Sequence, residues 1–453
     1  MSVHPDIAAE LAALRGLDLP VRGGTTWAYV YDSGSPEIAD VAARAYAEML
    51  DVNMLDPTAF PSVVALENSV VGTAAALLGG GAGMFTSGGT ESCLLAVKAT
   101  RDARSDVDDP EIVLPVTAHP AFHKAAHYFG LTVVTTPVDN DMRAEVEPVA
   151  AALTDRTVLV VASAPSYPTG TVDPVADIAA VAAAGGVRCH VDACIGGWVL
   201  PFLPDAPPFD LTVPGVTSLS VDLHKYAYAP KGASVLLFRD RAARRDAWFA
   251  HAGWPGYPLL NPTMQSAKSA GPLAAAWAVL QHVGTDGYRT LALAARDALL
   301  RLASGVSTVE GLHVLGVPDT TLLAVAGDPG VDVFVVADEL RARGFYAQVQ
   351  LSLGAIPPTL HFSAHGVSPF TVDALLTALT EAVAAARAAG PARPADLSGV
   401  DLSPVDEDGL VRLLLETGLS LATMAPINAT LDALPVADRE HLLKVFLSVL
   451  LTP

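Results

Sequence analysis

Between residues 112 and 238, short apolar runs rich in β-branched residues alternate with helical segments, and this alternation restricts the fold more than any other feature of the chain. Strands are expected at 112–116, 131–135, 157–162, 188–191, 219–221 and 234–238, with helices at 121–129, 146–153 and 175–184. Strands that read as near-continuous apolar runs are buried on both faces, so the pattern predicts an α/β fold with a mainly parallel sheet covered by helices. A long helical region begins at 272–283 and leads to a smaller unit. That unit reads as strand 321–326, helix 333–343, strand 359–363 and helix 371–389. The Ala/Pro/Gly stretch 388–394 is a linker, and helices are expected at 411–415 and 440–451. No internal repeat is visible. The chain of 453 residues is long enough for several cores. Its expected division is an N-terminal segment 1–60, a large domain 61–315, a small domain 316–390 and a C-terminal part 391–453.

The chemistry lies at the strand ends. Residues 220–234 read SVDLHKYAYAPKGAS, with Lys225 directly after His224 at the end of an apolar run. A lysine at the mouth of a core strand loses hydration, which lowers its pKa. A neutral, positioned amine is what Schiff-base chemistry needs, including the linkage that holds pyridoxal phosphate. The plain alternative is a lysine that snorkels to the surface. Upstream, CHVDACIGGW places Asp192 after another short apolar run. A carboxylate there suits the nitrogen of a pyridine ring, although aspartate also commonly caps a strand–loop junction. Residues 84–91, MFTSGGTE, run into a helical pattern and offer free N–H groups and a positive dipole end to a phosphate. A glycine turn by itself is weak support. Phosphate turn, aspartate and lysine in this order are far more specific.

These motifs carry a resemblance. SGGTES (87–92), AHPAFHKAAHYFG (118–130), SAPSYPTGTVDP (163–174), VDACIGGW (191–198) and VDLHKYAYAPKG (221–232) stand in the order of the group II decarboxylase family of fold-type I pyridoxal phosphate enzymes. Within that family the chain most resembles the soluble bacterial sphingosine phosphate lyases, from about residue 22 to about residue 389. The resemblance implies the fold-type I pyridoxal phosphate-dependent transferase fold, a homodimer, and Lys225 as the cofactor lysine with Asp192 at the ring nitrogen. It places His119 over the ring, and Gly89, Thr90, His224 and Lys231 around the phosphate. Tyr31, in TTWAYVYDSG, matches a tyrosine that reaches the partner subunit's site, with Tyr29 as rival; Tyr167 lies where a loop passes the ring, as catalyst or as packed aromatic.

Composition bounds the remaining readings. A formal net charge of −21 argues against nucleic acid or an anionic membrane as partner. The three cysteines, Cys93, Cys189 and Cys194, have no metal-site spacing and fit a reducing compartment, with Cys194 as a small buried hydrophobe. No apolar run reaches the ~18 residues of a membrane span. The start, MSVHPDIAAEL, lacks the features of a signal peptide, so a cytoplasmic location is expected. His119, His123 and His127 are spaced by four, as are His361 and His365. The resemblance uses only His119, and no metal site is expected.

Departures from the family bear on substrate. The lyases carry a histidine in an LHPDxFP-like string that helps hold the substrate's phosphate. Here the string is LDPTAFP, with Asp56 at that position and Asn53 retained. Tyr257 replaces a glycine, Leu259 a tyrosine and Lys268 an arginine, and lysine lacks the bidentate fork. Asp56 facing a phosphate would repel it, which points to a remodelled pocket for a different, cationic or unphosphorylated, amine. The expected activity is that of a lyase: retro-aldol cleavage of a β-hydroxy amine to an aldehyde. The alternatives are decarboxylation of an L-amino acid and, more remotely, cofactor binding without catalysis.

Overall fold

The computed structural model describes residues 5–397 and 399–452. Residues 1–4 of the start segment, Ser398 and Pro453 in the C-terminal part lie outside it. Seven strands form the main sheet: β1 (Ala82–Thr86), β2 (Glu111–Pro115), β3 (Thr132–Thr136), β4 (Thr157–Ser163), β5 (Arg188–Asp192), β6 (Val216–Asp222) and β7 (Ser234–Phe238). Their order is β1-β7-β6-β5-β4-β2-β3. Only β7 runs against its neighbours, pairing antiparallel with β1 and β6. The mainly parallel sheet is therefore as expected, and β4 is buried along its whole length because helices cover both faces.

The helices that precede and cover this sheet are α1 (Pro5–Arg15), α2 (Pro36–Glu48), α3 (Pro61–Leu77), α4 (Gly89–Ala103), α5 (Ala121–Phe129), α6 (Val146–Ala151), α7 (Val175–Ala184), α8 (Arg241–Arg245) and α9 (Gly271–Val306). In α5, Ala121, Phe122, Ala125 and Ala126 recur on one side and are buried against the sheet. Gly130, in the left-handed conformation, closes the helix. Strand β1, helices α1–α3 and the hairpin β8 (Phe249–His251) and β9 (Leu259–Asn261) extend beyond the expected alternation. The helix expected from residue 272 runs on to Val306, broken in direction at Gly284, whose φ is +62° and ψ 174°.

A second core lies under a four-stranded antiparallel sheet of β10 (Leu312–Leu315), β11 (Leu322–Gly327), β12 (Gln348–Gln350) and β13 (Thr359–Ser363), in the order β10-β11-β13-β12. Helices α10 (Val333–Ala342) and α11 (Val372–Ala389) pack against it. The C-terminal part holds three helices where two were expected: α12 (Glu407–Thr417), α13 (Ala425–Ala433) and α14 (Val436–Leu450). The helix expected at 411–415 starts earlier because the Asp406 side chain caps it by accepting from Gly409 N–H. No helix among the described residues is long and apolar enough to cross a membrane.

Candidate active site

Parallel strands of an α/β sheet leave their ligand crevice at their C-terminal ends. There the ends of β1, β4, β5 and β6 and the start of α4 surround a cavity of about 380 Å³. Gly89, Thr90, His119, Tyr167, Asp192, His224 and Lys225 all line it, although they are scattered over more than a hundred residues of sequence.

Lys225 corrects one expectation. Its Nζ lies 2.9 Å from Oδ2 of Asp222, a buried carboxylate at the last position of β6. Burial pulls the lysine's pKa down, but the charge of Asp222, followed by Tyr31, Cys194 and Asp192, outweighs it and lifts the pKa well above the ordinary value. Lys225 is thus held as an ammonium rather than as a free amine. Asp222 is the main residue that the sequence reading missed. A carboxylate three residues before the lysine, in DLHK, was its visible signal. Burial would raise its own pKa, yet Lys225 and His224 hold it below the usual range. Its Oδ1 is buried with no hydrogen-bond partner among the described residues. His224 accepts from Ala233 N–H at Nδ1 and turns Nε2 toward Asp222 at 3.6 Å. Burial drives its pKa down to about 4, so the ring is neutral.

Asp192 ends β5. Its Oδ1 accepts from Cys194 N–H at 3.1 Å and from Ser220 Oγ at 3.3 Å, while Oδ2 takes neither bond. His119 accepts from Ala121 N–H at Nδ1, which leaves its proton on Nε2. Burial lowers its pKa. At the start of α4 the N-cap is Gly88, with no side chain capping the first turn. Glu91 reaches back to Ser87 N–H and also accepts from Met264 N–H at 2.8 Å, locking the turn. Any Cβ on Gly89 would stand 2.7 Å from Cys194 Sγ and 2.9 Å from the Asp222 carboxylate, so only glycine fits. The Ser163 hydroxyl, also on the cavity wall, is buried and has no hydrogen-bond partner among the described residues.

The tyrosines separate. Tyr31 is within electrostatic reach of Lys225 in its own chain, and burial raises its pKa to about 12. The resemblance has this tyrosine reach the partner subunit's site, and here it lies near the lysine of its own chain. Tyr29 has a φ of +64° and turns instead toward Tyr346, 6.2 Å between ring centres. Tyr167 stacks on His361 at 4.3 Å, and its hydroxyl donates to Gln348 Oε1 at 2.7 Å. Lys231 is not on the cavity wall. Its Nζ sits 4.8 Å from the centre of the Tyr31 ring and 3.3 Å from the His224 carbonyl. Burial, followed by the charge of Lys225, lowers its pKa to about 8.

None of the four residues expected at the substrate lines this cavity. Asp56 is exposed, and its Oδ1 accepts from Thr58 N–H at 2.9 Å, Thr58 Oγ1 at 2.6 Å and Ala59 N–H at 3.3 Å. It caps its own turn, as aspartate before proline does, and the repulsion argument against a phosphorylated substrate loses its basis. Asn53 Oδ1 accepts from Leu55 N–H and Lys268 N–H, fastening the N-terminal segment to the loop before α9. Lys268 Nζ donates to Thr263 Oγ1 at 2.7 Å. Tyr257 is exposed beside Trp254. The fold does assemble what sequence spacing separates: Cys93, Asp192 and Cys194 place potential ligand atoms within 4.8 Å of one another. Despite its hydrogen bond with Cys194, Cys93 is kept a thiol by burial and by the charges of Asp192 and Asp222.

The donor set fits pyridoxal phosphate: a lysine, a carboxylate with a spare oxygen, an imidazole and an uncapped helix start around one cavity. The aminotransferase class-V family model matches residues 82–249, the segment that contains β1 to β7. The sphingosine-1-phosphate lyase of Arabidopsis thaliana is 37% identical over 377 residues, 80% of this chain and 68% of that one. A probable L-tyrosine/L-aspartate decarboxylase of Methanothermobacter thermautotrophicus is 33% identical, covering 71% of this chain and 87% of its own. The solved sphingosine-1-phosphate lyase of Burkholderia pseudomallei superposes with a TM-score of 0.79 at 34% identity, covering 86% of this chain and 92% of that one. The chain belongs to the group II decarboxylase family of fold-type I pyridoxal phosphate enzymes, which includes the sphingosine-1-phosphate lyases. Its relatives are lyases, of carbon–carbon bonds or of carboxylates. The chain spans about two thirds of the length of the curated eukaryotic lyases that it matches.

Proposed function

We propose that this chain is a carbon–carbon lyase that cleaves a β-hydroxy amine, phosphorylated as in its relatives, to an aldehyde. One observation carries the reading: Lys225, Asp192 and His119 share one cavity with the uncapped start of α4, in a chain 34% identical to a bacterial sphingosine-1-phosphate lyase. Pyridoxal phosphate, when bound, supplies the electron sink that lets a bond at the substrate's Cα break. Lys225 would carry it, Asp192 would pair with its ring nitrogen and His119 would cover its face. The first-turn N–H groups at Gly89 and Thr90 would hold its phosphate, with His224 and Lys231 behind them.

Other residues manage protons and position. Asp222 holds the proton on Lys225 Nζ and keeps the amine from swinging out of the cavity. Tyr31, with its raised pKa, stays a protonated donor near neutral pH. Lys231, off the cavity wall against the Tyr31 ring and the His224 carbonyl, has a pKa lowered to about 8 by burial and then by Lys225, and so releases its proton more readily than an ordinary lysine. Tyr167 is held by Gln348 and His361 as part of the wall. The working unit is a cytoplasmic homodimer, divided at residues 60, 315 and 390 into the four parts expected from sequence. A second reading, L-amino-acid decarboxylation, is favoured by the archaeal relative named as a probable decarboxylase.

The cofactor-loaded protein should be given sphingosine 1-phosphate, unphosphorylated β-hydroxy amines and L-amino acids, with aldehyde and carbon dioxide both measured. Aldehyde release supports the proposal. Carbon dioxide without aldehyde transfers the chain to the second reading, and neither product from the loaded protein would mean binding without catalysis.

A further inference from the structure

His190 stands two residues before Asp192 on β5, so both side chains leave the same face of the sheet. The neighbouring strand β6 pairs His190 with Ser218 and Asp192 with Ser220. Four polar side chains thus form one patch in a region that is otherwise apolar, and His190 is completely buried. Its Nδ1 lies 2.8 Å from Ser218 Oγ and its Nε2 3.3 Å from Ser220 Oγ. Ser220 Oγ in turn lies 3.3 Å from Asp192 Oδ1, and Cys194 Sγ donates to it at 3.4 Å.

The directions of these bonds follow from their ends. A carboxylate only accepts, so Ser220 donates to Asp192. The Ser220 oxygen is then free to accept, and His190 Nε2–H supplies the proton. That fixes the neutral tautomer, leaves Nδ1 as the acceptor, and makes Ser218 the donor at the far end. Every group in the chain is satisfied, with the edge of Phe122 packed against the imidazole at 5.7 Å between ring centres. Burial pushes the His190 pKa down to about 4, with the Asp192 charge opposing, so the ring remains a neutral donor near pH 7.

We propose that His190 is a positioning residue which, through Ser220, fixes the Asp192 carboxylate so that its free oxygen faces the cofactor's ring nitrogen. The proposal rests on the placement of Asp192 given under the proposed function. A buried apolar-packing role for His190 would make leucine the milder replacement. A donor role makes glutamine milder, because its Nε2–H reaches the place of the imidazole Nε2–H.

The test loads wild type, Ser220→Ala, His190→Gln, His190→Leu and Asp192→Asn with pyridoxal phosphate labelled with nitrogen-15 in its ring. It reads the nitrogen resonance and, separately, the cofactor affinity of the stripped proteins. Ser220→Ala and His190→Leu should move the resonance toward that of an unprotonated pyridine. Each should weaken cofactor binding about tenfold, the scale of one hydrogen bond to a charged group. His190→Gln should stay near wild type. Ser220→Ala replaces one small side chain by another and keeps the test open if His190→Leu does not fold. A wild-type resonance and affinity in Ser220→Ala or in folded His190→Leu overturns the proposal, as does a His190→Gln as impaired as His190→Leu. A wild-type resonance in Asp192→Asn would instead overturn the placement of Asp192 itself.

Discussion

At Lys225, a single neighbour decides which of two opposed effects prevails. Burial favours the neutral amine, yet the carboxylate 2.9 Å away holds the proton. Asp222→Asn should therefore hand control back to burial. On mixing stripped protein with pyridoxal phosphate, the pH midpoint for cofactor capture should fall by about one unit or more, the ordinary scale of one adjacent opposite charge. The yellow absorbance recorded from pH 6 to 10 measures it, and an unchanged midpoint would show that Asp222 does not control the amine. Borohydride should then fix the cofactor to the peptide that holds Lys225. Label on Lys231, whose lowered pKa makes it the freer amine, would reverse the assignment.

At the scale of elements, the strands were legible because burial on both faces writes itself as unbroken apolar runs, as in the seven buried residues of β4. Asp192, which ends β5, was legible for the same reason, since a polar group closing an apolar run stands out, whereas Asp222, which closes β6 in the same way, was passed over for Lys225 three residues further on. The turn at Asp56 was misread because a local cap and a substrate contact use the same residue type, and only the Thr58 and Ala59 bonds tell them apart. Asp56→His should consequently lower the melting temperature slightly. It should leave the ratio of kcat/KM for phosphorylated over unphosphorylated amines within about twofold, and a large rise in that ratio would restore the substrate contact. The break in α9 was invisible because Gly284 sits in a pattern that stays helical on either side. Its φ of +62° with ψ of 174° belongs to a region that glycine alone occupies. Gly284→Ala meets no neighbouring atom within 4 Å, so its cost should be backbone strain of roughly 1–3 kcal/mol. Chemical denaturation reads that loss, and an unchanged midpoint would place the break elsewhere.

At the scale of the molecule, buried histidines tie stability to pH across the separate cores. His190 lies inside the large sheet, His224 beside the cavity and His361 on β13 of the second sheet, where it stacks on Tyr167 and bonds the Pro168 carbonyl at 3.3 Å and Ser363 Oγ at 3.1 Å. Burial drives all three pKa values down to about 4. Their unfolded counterparts take up protons near pH 6.5, so the stability they contribute is complete above that pH and is lost as pH falls toward 4. Asp173 works in the opposite sense. It is buried under bonds from Ala144 and Ser163 N–H, and burial raises its pKa to about 6. The folded chain therefore takes up one proton that the unfolded chain takes up only near pH 4. Among these four groups, three histidines against one aspartate leave the unfolded state about two protons richer below pH 6, a slope on the order of 3 kcal/mol per pH unit, and His119 and His365, also lowered by burial, act in the same direction. The melting temperature of the cofactor-free protein should drop by several degrees between pH 7 and pH 5. His361→Gln should flatten that drop by about one proton's share, because it removes one buried titrating group. A melting temperature independent of pH over this range would mean that the three imidazoles reach solvent and titrate in the folded protein.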